Sequence, residues 1–173
     1  QLHYQHCIDI EIASIDDFFR DRGFPNFIKM DIEGAEVKAL AGTKEILEKE
    51  DSSMKILMEI HPMYYQADEF AVQLRRMFDY GFKTKYLVSA GTARPEYFVK
   101  RGYEPQKVYH SGDHSRGVYR GICNDHVIEA CSNMFEGHEI SLPWRSLIKR
   151  PHRLFSRKVA SPKIVRSILL ERS

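Results

Sequence analysis

Between Phe27 and Ile60 the apolar pattern changes period twice. "FIKMDI" is a short apolar run bounded by Pro25 and Gly34. From Ala35 the apolar residues fall at helical spacing (Val37, Leu40, Ala41, Leu47), with Lys38, Lys44, Glu45 and Glu48 on the other side. "MKILMEI" then reads as a strand, apolar apart from Lys55 and Glu59, as in a central strand covered on both faces. A strand, a helix and a second strand in such close succession confine the chain to a few layered arrangements.

The flanks extend the alternation. "CIDIEIASI" has period two, with Ile8, Ile10 and Ile12 on one side, and predicts a half-buried strand. "SIDDFFRDRG" predicts a short helix that Ser14 or Asp16 caps and Gly23 ends. "ADEFAVQLRRMFDYGF" puts Phe70, Leu74, Met77 and Phe78 on one helical face, and "KTKYLVSAG" is one more strand. The expected fold class is α/β, with a largely parallel sheet whose handed crossovers give about half of a doubly wound domain. Gly42 inside the 35–48 helix costs about 1 kcal/mol against alanine, which implies close packing there.

Beyond Gly91 the pattern loses its period. We expect an α/β unit over 1–100 and a loop-rich, partly helical basic extension over 101–173. The extension would hold a hairpin and a short helix capped by Asn124 or Asp125. From Ser141 onward there are nine Lys or Arg and one acid, Glu171, mixed with Trp144, Leu147, Leu154, Phe155, Ile164, Val165, Ile168 and Leu169. A helix packing back on the domain is the plain reading of this tail. Contact with an anionic membrane surface is a second, although Pro151 and Pro162 interrupt any long helix. Arg75 and Arg76 read as a solvated helix face.

A net charge of +2 over 173 residues makes no case for nucleic acid. Cys7, Cys123 and Cys131 are too few and scattered for a disulfide framework. No apolar run is long enough to span a bilayer, and the first residues lack the pattern of a secretory signal. These features lead us to expect a cytoplasmic protein. The chain begins with Gln1, which suggests a piece of a longer protein or a processed product.

Chemistry concentrates where two strands end. Ligands of open parallel sheets bind beyond the carboxyl ends of the strands. "FIKMD-IEG" ends in Asp31 and Glu33, and "ILMEIHP" ends in Glu59 and His61. On the residues alone, Asp31 or Glu33 can equally be a structural cap for the helix that comes next, worth about 0.3–1 kcal/mol. Asp31, Glu33 and Glu59 could also reach one divalent ion, as in a metal-dependent hydrolase. His110, His114, Cys123, His126 and Cys131 offer zinc ligands, but not at a recognised structural spacing.

The order of three blocks resembles the FkbM family of methyltransferases. They are Ser14-Ile15-Asp16-Asp17; then Ile28-Lys29-Met30-Asp31-Ile32-Glu33-Gly34-Ala35-Glu36 with Leu40-Ala41-Gly42-Thr43; and then Glu59-Ile60-His61. The resemblance covers about Asp9 to Ala90. Ser14, Ile15 and Thr43 stand where the family pattern has Thr, Leu and Ala. It implies a Rossmann-like sheet of the class I methyltransferase type and S-adenosylmethionine as cofactor. It also implies O-methylation of a sugar or other small polar hydroxyl acceptor. The family's glycine-rich turn after the first strand has no counterpart here, so the resemblance implies the C-terminal half of such a domain, with "FIKMDI" at an exposed edge open to self-association or a partner chain.

Under this resemblance Asp31, Glu33, Glu59 and His61 are the candidate catalytic residues, Asp16 and Asp31 the candidate cofactor-binding ones, and no metal is assigned. Asp31 would lie near the methionine end of the cofactor or at the acceptor. Glu33 would orient Asp31 or hold a substrate hydroxyl. His61 suits a general base at neutral pH, with Glu59 orienting it or the acceptor. Glu36, one turn beyond Glu33, would face the same opening, and Lys29 would pair with Asp31 or extend to solvent. The alternative is a non-catalytic remnant or interaction module that keeps the fold. The whole site reading requires Asp31 and His61 to open into one hollow.

Overall fold

The computed structural model describes residues 9–49, 53–112, 114–135 and 163–172. Ser14 caps the first helix, α1 (Ile15–Phe19), its Oγ accepting from the Asp17 amide at 3.0 Å. β1 (Phe27–Met30) leads to α2 (Glu36–Ala41) and α3 (Lys44–Glu48). The single helix expected over 35–48 is therefore two. It breaks at Gly42, where an added Cβ would stand 3.0 Å from the Ser14 Cβ. The close packing expected there is present, and it interrupts the helix. β2 (Lys55–Glu59), α4 (Ala67–Asp79) and β3 (Phe82–Ser89) come next, as the periodicity predicts. Phe70, Leu74 and Met77 of α4 are fully buried, each worth roughly 1.5–3 kcal/mol in area removed from water. Gly81 ends this region with φ 83°, a value that favours glycine.

After residue 91 the chain forms α5 (Glu96–Val99), the hairpin of β4 (Lys107–Ser111) and β5 (His114–Tyr119), α6 (Asn124–Ser132), and β6 (Val165–Arg172). The hairpin and the short helix are as expected, but the helix's N-cap is Cys123, with no side-chain cap, and not Asn124 or Asp125. The helix expected to include Ile164, Val165, Ile168 and Leu169 is instead a strand. Trp144, Leu147, Leu154 and Phe155, on which the membrane-surface reading rested, lie outside the described residues.

The six strands form one sheet in the order β1-β2-β6-β3-β5-β4, so it takes strands from both sides of residue 100. Only β1 and β2 are parallel neighbours; the other four pairings are antiparallel. The expected largely parallel sheet is corrected here to a mostly antiparallel one. The causes are β6, which enters between β2 and β3 from the opposite direction, and the β4–β5 hairpin, whose β5 is antiparallel to β3. β1, β2 and β3 still run the same way, because β6 is antiparallel to both β2 and β3. Their carboxyl ends share one edge of the sheet, and β6 begins at that edge.

Met30, Met58, Ile168, Leu87 and Tyr119 lie in register across one face. All are buried, in one core with α2, α4 and α6. The opposite face carries Leu57, Leu169, Tyr86, Val88 and Val118, which line a concavity of about 560 Å³. Helix cover on both faces, as in a doubly wound domain, is thus not seen among the described residues. Residues 9–14 form no strand, and Ile10 and Ile12 are largely exposed. β1 is an edge strand among the described residues, with half-exposed Phe27.

Candidate functional site

β1 and β2 are parallel and in register, Met30 opposite Met58. The segments that leave these two strands therefore emerge side by side. Asp31 and Glu33 come from the first, and Glu59 and His61 from the second. The two strand ends meet as the site reading requires, with His61 at the centre of the cluster, 4 % exposed. Its Nε2 stands 4.0 Å from Asp31 Oδ1, 3.6 Å from Glu33 Oε2 and 3.5 Å from Glu59 Oε1. Its Nδ1 is 2.9 Å from Oε1 of Glu36, which is fully buried. With Glu36 as a carboxylate, Nδ1–H is the donor, and Nε2 is the nitrogen that faces Asp31, Glu33 and Glu59.

Glu36 is thus behind the histidine and does not face the opening. It orients His61, the role assigned from sequence to Glu59. The signal was in the helix period: Glu36 is one turn before fully buried Leu40 and shares its inward face. Oε2 of Glu36 has no hydrogen-bond partner among the described residues, a costly arrangement for a buried carboxylate. Glu59 Oε1 is held by Arg166 at 2.7 Å and Lys163 at 3.5 Å. Burial lowers the Lys163 pKa, and its ammonium donates to the Ile60 carbonyl at 2.8 Å. Arg166 is the second residue of β6 and Lys163 lies two residues before that strand, in a segment that sequence reasoning had placed in a separate basic extension.

Lys29 lies 3.6 Å from Asp31, the pairing expected of it. Asp16 is elsewhere. Its carboxylate accepts from the amides of Glu45 at 2.9 Å and Ile46 at 3.1 Å, capping the first turn of α3. This capping role is one that the sequence reading did not assign to it. Arg76 also leaves the solvated face expected of it, donating to the Leu40 carbonyl and to Thr43 Oγ1. The proposed zinc ligands do not gather. Cys131 is buried, Cys123 is exposed, and His126 Nδ1 is 2.9 Å from the Tyr103 hydroxyl. Among the described residues the one group with metal-ligand proximity is Asp31, Glu33 and His61.

The turn between β1 and α2 is strained. Glu33 has φ 51°, the one non-glycine residue with positive φ among the described residues. Such a conformation costs of order 1–3 kcal/mol and marks a site held by its surroundings. Gly34 is next at φ 100°, and a Cβ there would lie 2.2 Å from the Tyr64 Cβ. Tyr64 is placed by the turn after β2, its amide donating to the His61 carbonyl at 3.0 Å. Gly34 therefore locks the two strand ends together. Replacing Gly34 by Ala should destabilise the protein by roughly 1–3 kcal/mol, measured by urea denaturation. An unchanged midpoint would mean the turns can separate freely.

Residues 2–84 match the family model described as the methyltransferase FkbM domain. The matched segment is just under half of the chain and includes Asp31, Glu33, Glu36, Glu59 and His61. It carries the three blocks through which the sequence resembles that family. No curated protein and no solved structure gives a significant match to the chain.

Proposed function

We propose that the chain carries the acceptor side of an S-adenosylmethionine-dependent methyltransferase that methylates a hydroxyl of a sugar or another small polar compound. The supporting observation is the His61 ring nitrogen that Glu36 leaves unengaged, set among carboxylates at the ends of two parallel strands. The family match supplies the reaction class, and the same direction of β1, β2 and β3 fits the Rossmann-like reading. S-adenosylmethionine, when bound, supplies an electrophilic methyl carbon on a sulfonium centre.

The donor set suits part of that cofactor. Asp31 and Glu33 present open carboxylates that can hold an ammonium or a ribose hydroxyl. Asp16 already accepts from two amides of α3. His61 Nε2 is placed to take the acceptor proton, a role worth about 10²–10⁴ in rate. Glu36 fixes which ring nitrogen does so. Glu59, neutralised by Arg166 and Lys163, can accept a hydrogen bond from the acceptor.

The test measures S-adenosylhomocysteine binding by calorimetry and transfer of labelled methyl to a panel of sugars and other hydroxyl compounds. We expect binding, and Asp31→Asn should weaken it about tenfold, or ~1.4 kcal/mol. Absence of both binding and labelled product would reject the reading. The edge position of β1 among the described residues favours a second reading, an interaction module that pairs this edge with another chain. Unchanged activity in Asp31→Asn, with self-association in sedimentation, would favour it.

A further inference from the structure

We propose that Asp31, Glu33 and His61 form a site for one divalent transition-metal cation of the Mn²⁺ or Zn²⁺ type. One oxygen of each acid and one ring nitrogen of His61 lie within 4.8 Å of one another. Nε2 is 3.6 Å from Glu33 and 4.0 Å from Asp31. Donor atoms about 2.0–2.2 Å from one ion, 90–130° apart, are themselves about 3–4 Å apart.

Acids crowded at a strand end would not carry this inference alone. The histidine is the second observation. It is 4 % exposed, and its Nδ1 is held by a fully buried carboxylate. Its Nε2 is aimed among the acids at distances of 3.5–4.0 Å, too long for good hydrogen bonds. The Asp31 and Glu33 oxygens stand off from Nε2 at distances that leave room for a shared centre. A carboxylate behind a ligating histidine, fixing its tautomer and raising its basicity, is the usual support for a bound metal.

The surroundings narrow the ligand set. Glu59 Oε1 already meets Arg166 and Lys163, so it serves as a neighbour and not as a ligand. The left-handed backbone at Glu33 turns its side chain back toward His61, and the strain is retained there. One imidazole with two carboxylates suits Mn²⁺ or Zn²⁺ better than Ca²⁺, which prefers oxygen alone. Glu33 is largely exposed, so the remaining coordination positions open outward, where an oxygen donor can enter. A hydroxyl bound there would become more acidic. Nε2 cannot be ligand and base in one complex, so ion-bound and ion-free states are alternatives of a single site. The cation site does not depend on the methyl-transfer reading.

The untagged full chain should be titrated with Mn²⁺ and the free-ion electron paramagnetic resonance signal monitored, with Zn²⁺ as competitor. We expect one equivalent to bind, and the His61 ring resonances to broaden in the wild-type protein. Asp31→Asn/Glu33→Gln, two replacements on the open side of the site, should weaken binding at least about 100-fold. Asp68→Asn/Glu69→Gln, an exposed acidic pair on α4, should bind as wild type does. The proposal is overturned if neither ion binds, if His61 does not broaden, or if the two double variants behave alike. S-adenosylhomocysteine binding is measured separately in chelator. Ion binding without it would remove the methyl-transfer reading alone, and the converse would remove this proposal alone.

Discussion

A chain ending at residue 162 should show no cooperative thermal transition. β6 lies between β2 and β3, so its loss leaves two interior strands with an unpaired edge each. Ile164, Val165, Ile168 and Leu170 are at most 2 % exposed. At roughly 1.5–3 kcal/mol per buried side chain, they contribute about 6–12 kcal/mol, as much as the whole net stability of an ordinary domain, about 5–15 kcal/mol. The truncation also removes Lys163 and Arg166, leaving Glu59 beside three other carboxylates without its cations. Ile168→Asp should act the same way at full length, because it buries a charge at the sheet centre. Circular dichroism on heating checks both. A cooperative melt of the truncated chain near the wild-type temperature would show that β1, β2 and β3 close on each other without β6.

The elements from Phe27 to Ser89 were legible because each runs long enough to show its period. The shared direction of β1, β2 and β3 could be read from the intervening helices. The position of β6 could not, because pairing between strands far apart in sequence leaves no local trace. Val165 to Arg172 alternates weakly, and its basic residues read as solvated surface. Asp16 shows the same limit at a single side chain. An acid in a family block and an acid capping a helix some thirty residues away look alike in sequence, and only the hydrogen bonds to Glu45 and Ile46 separate them. The meeting of Asp31, Glu33, Glu59 and His61 was legible, since adjacent parallel strands must deliver their ends together. Glu36 could have been assigned from its inward position beside Leu40, yet its charge argued for solvent. A buried carboxylate with one partner is a poor stability choice, which is why it reads as functional once seen.

That conflict predicts opposite signs for stability and activity at one residue. In Glu36→Gln the buried group is neutral, and the unpaired second oxygen no longer carries charge. Burial of an amide costs less than burial of a carboxylate, so the thermal midpoint should hold or rise, by about 1 kcal/mol of stability at most. Methyl transfer should nevertheless fall by about 10²-fold. An amide can donate to Nδ1 or accept from it, so it no longer dictates that the proton sits there. When the proton moves to Nε2, the nitrogen facing the carboxylates can neither take a proton nor ligate a cation. His61→Gln removes that nitrogen and should cost about 10²–10⁴ in rate. Nitrogen-15 shifts of the His61 ring separate positioning from packing: wild type should show the lone pair on Nε2, and Glu36→Gln a mixture of tautomers. If Glu36→Gln instead loses stability while keeping its rate and its ring tautomer, Glu36 is only a packed side chain, and His61 is held in place by the sheet alone.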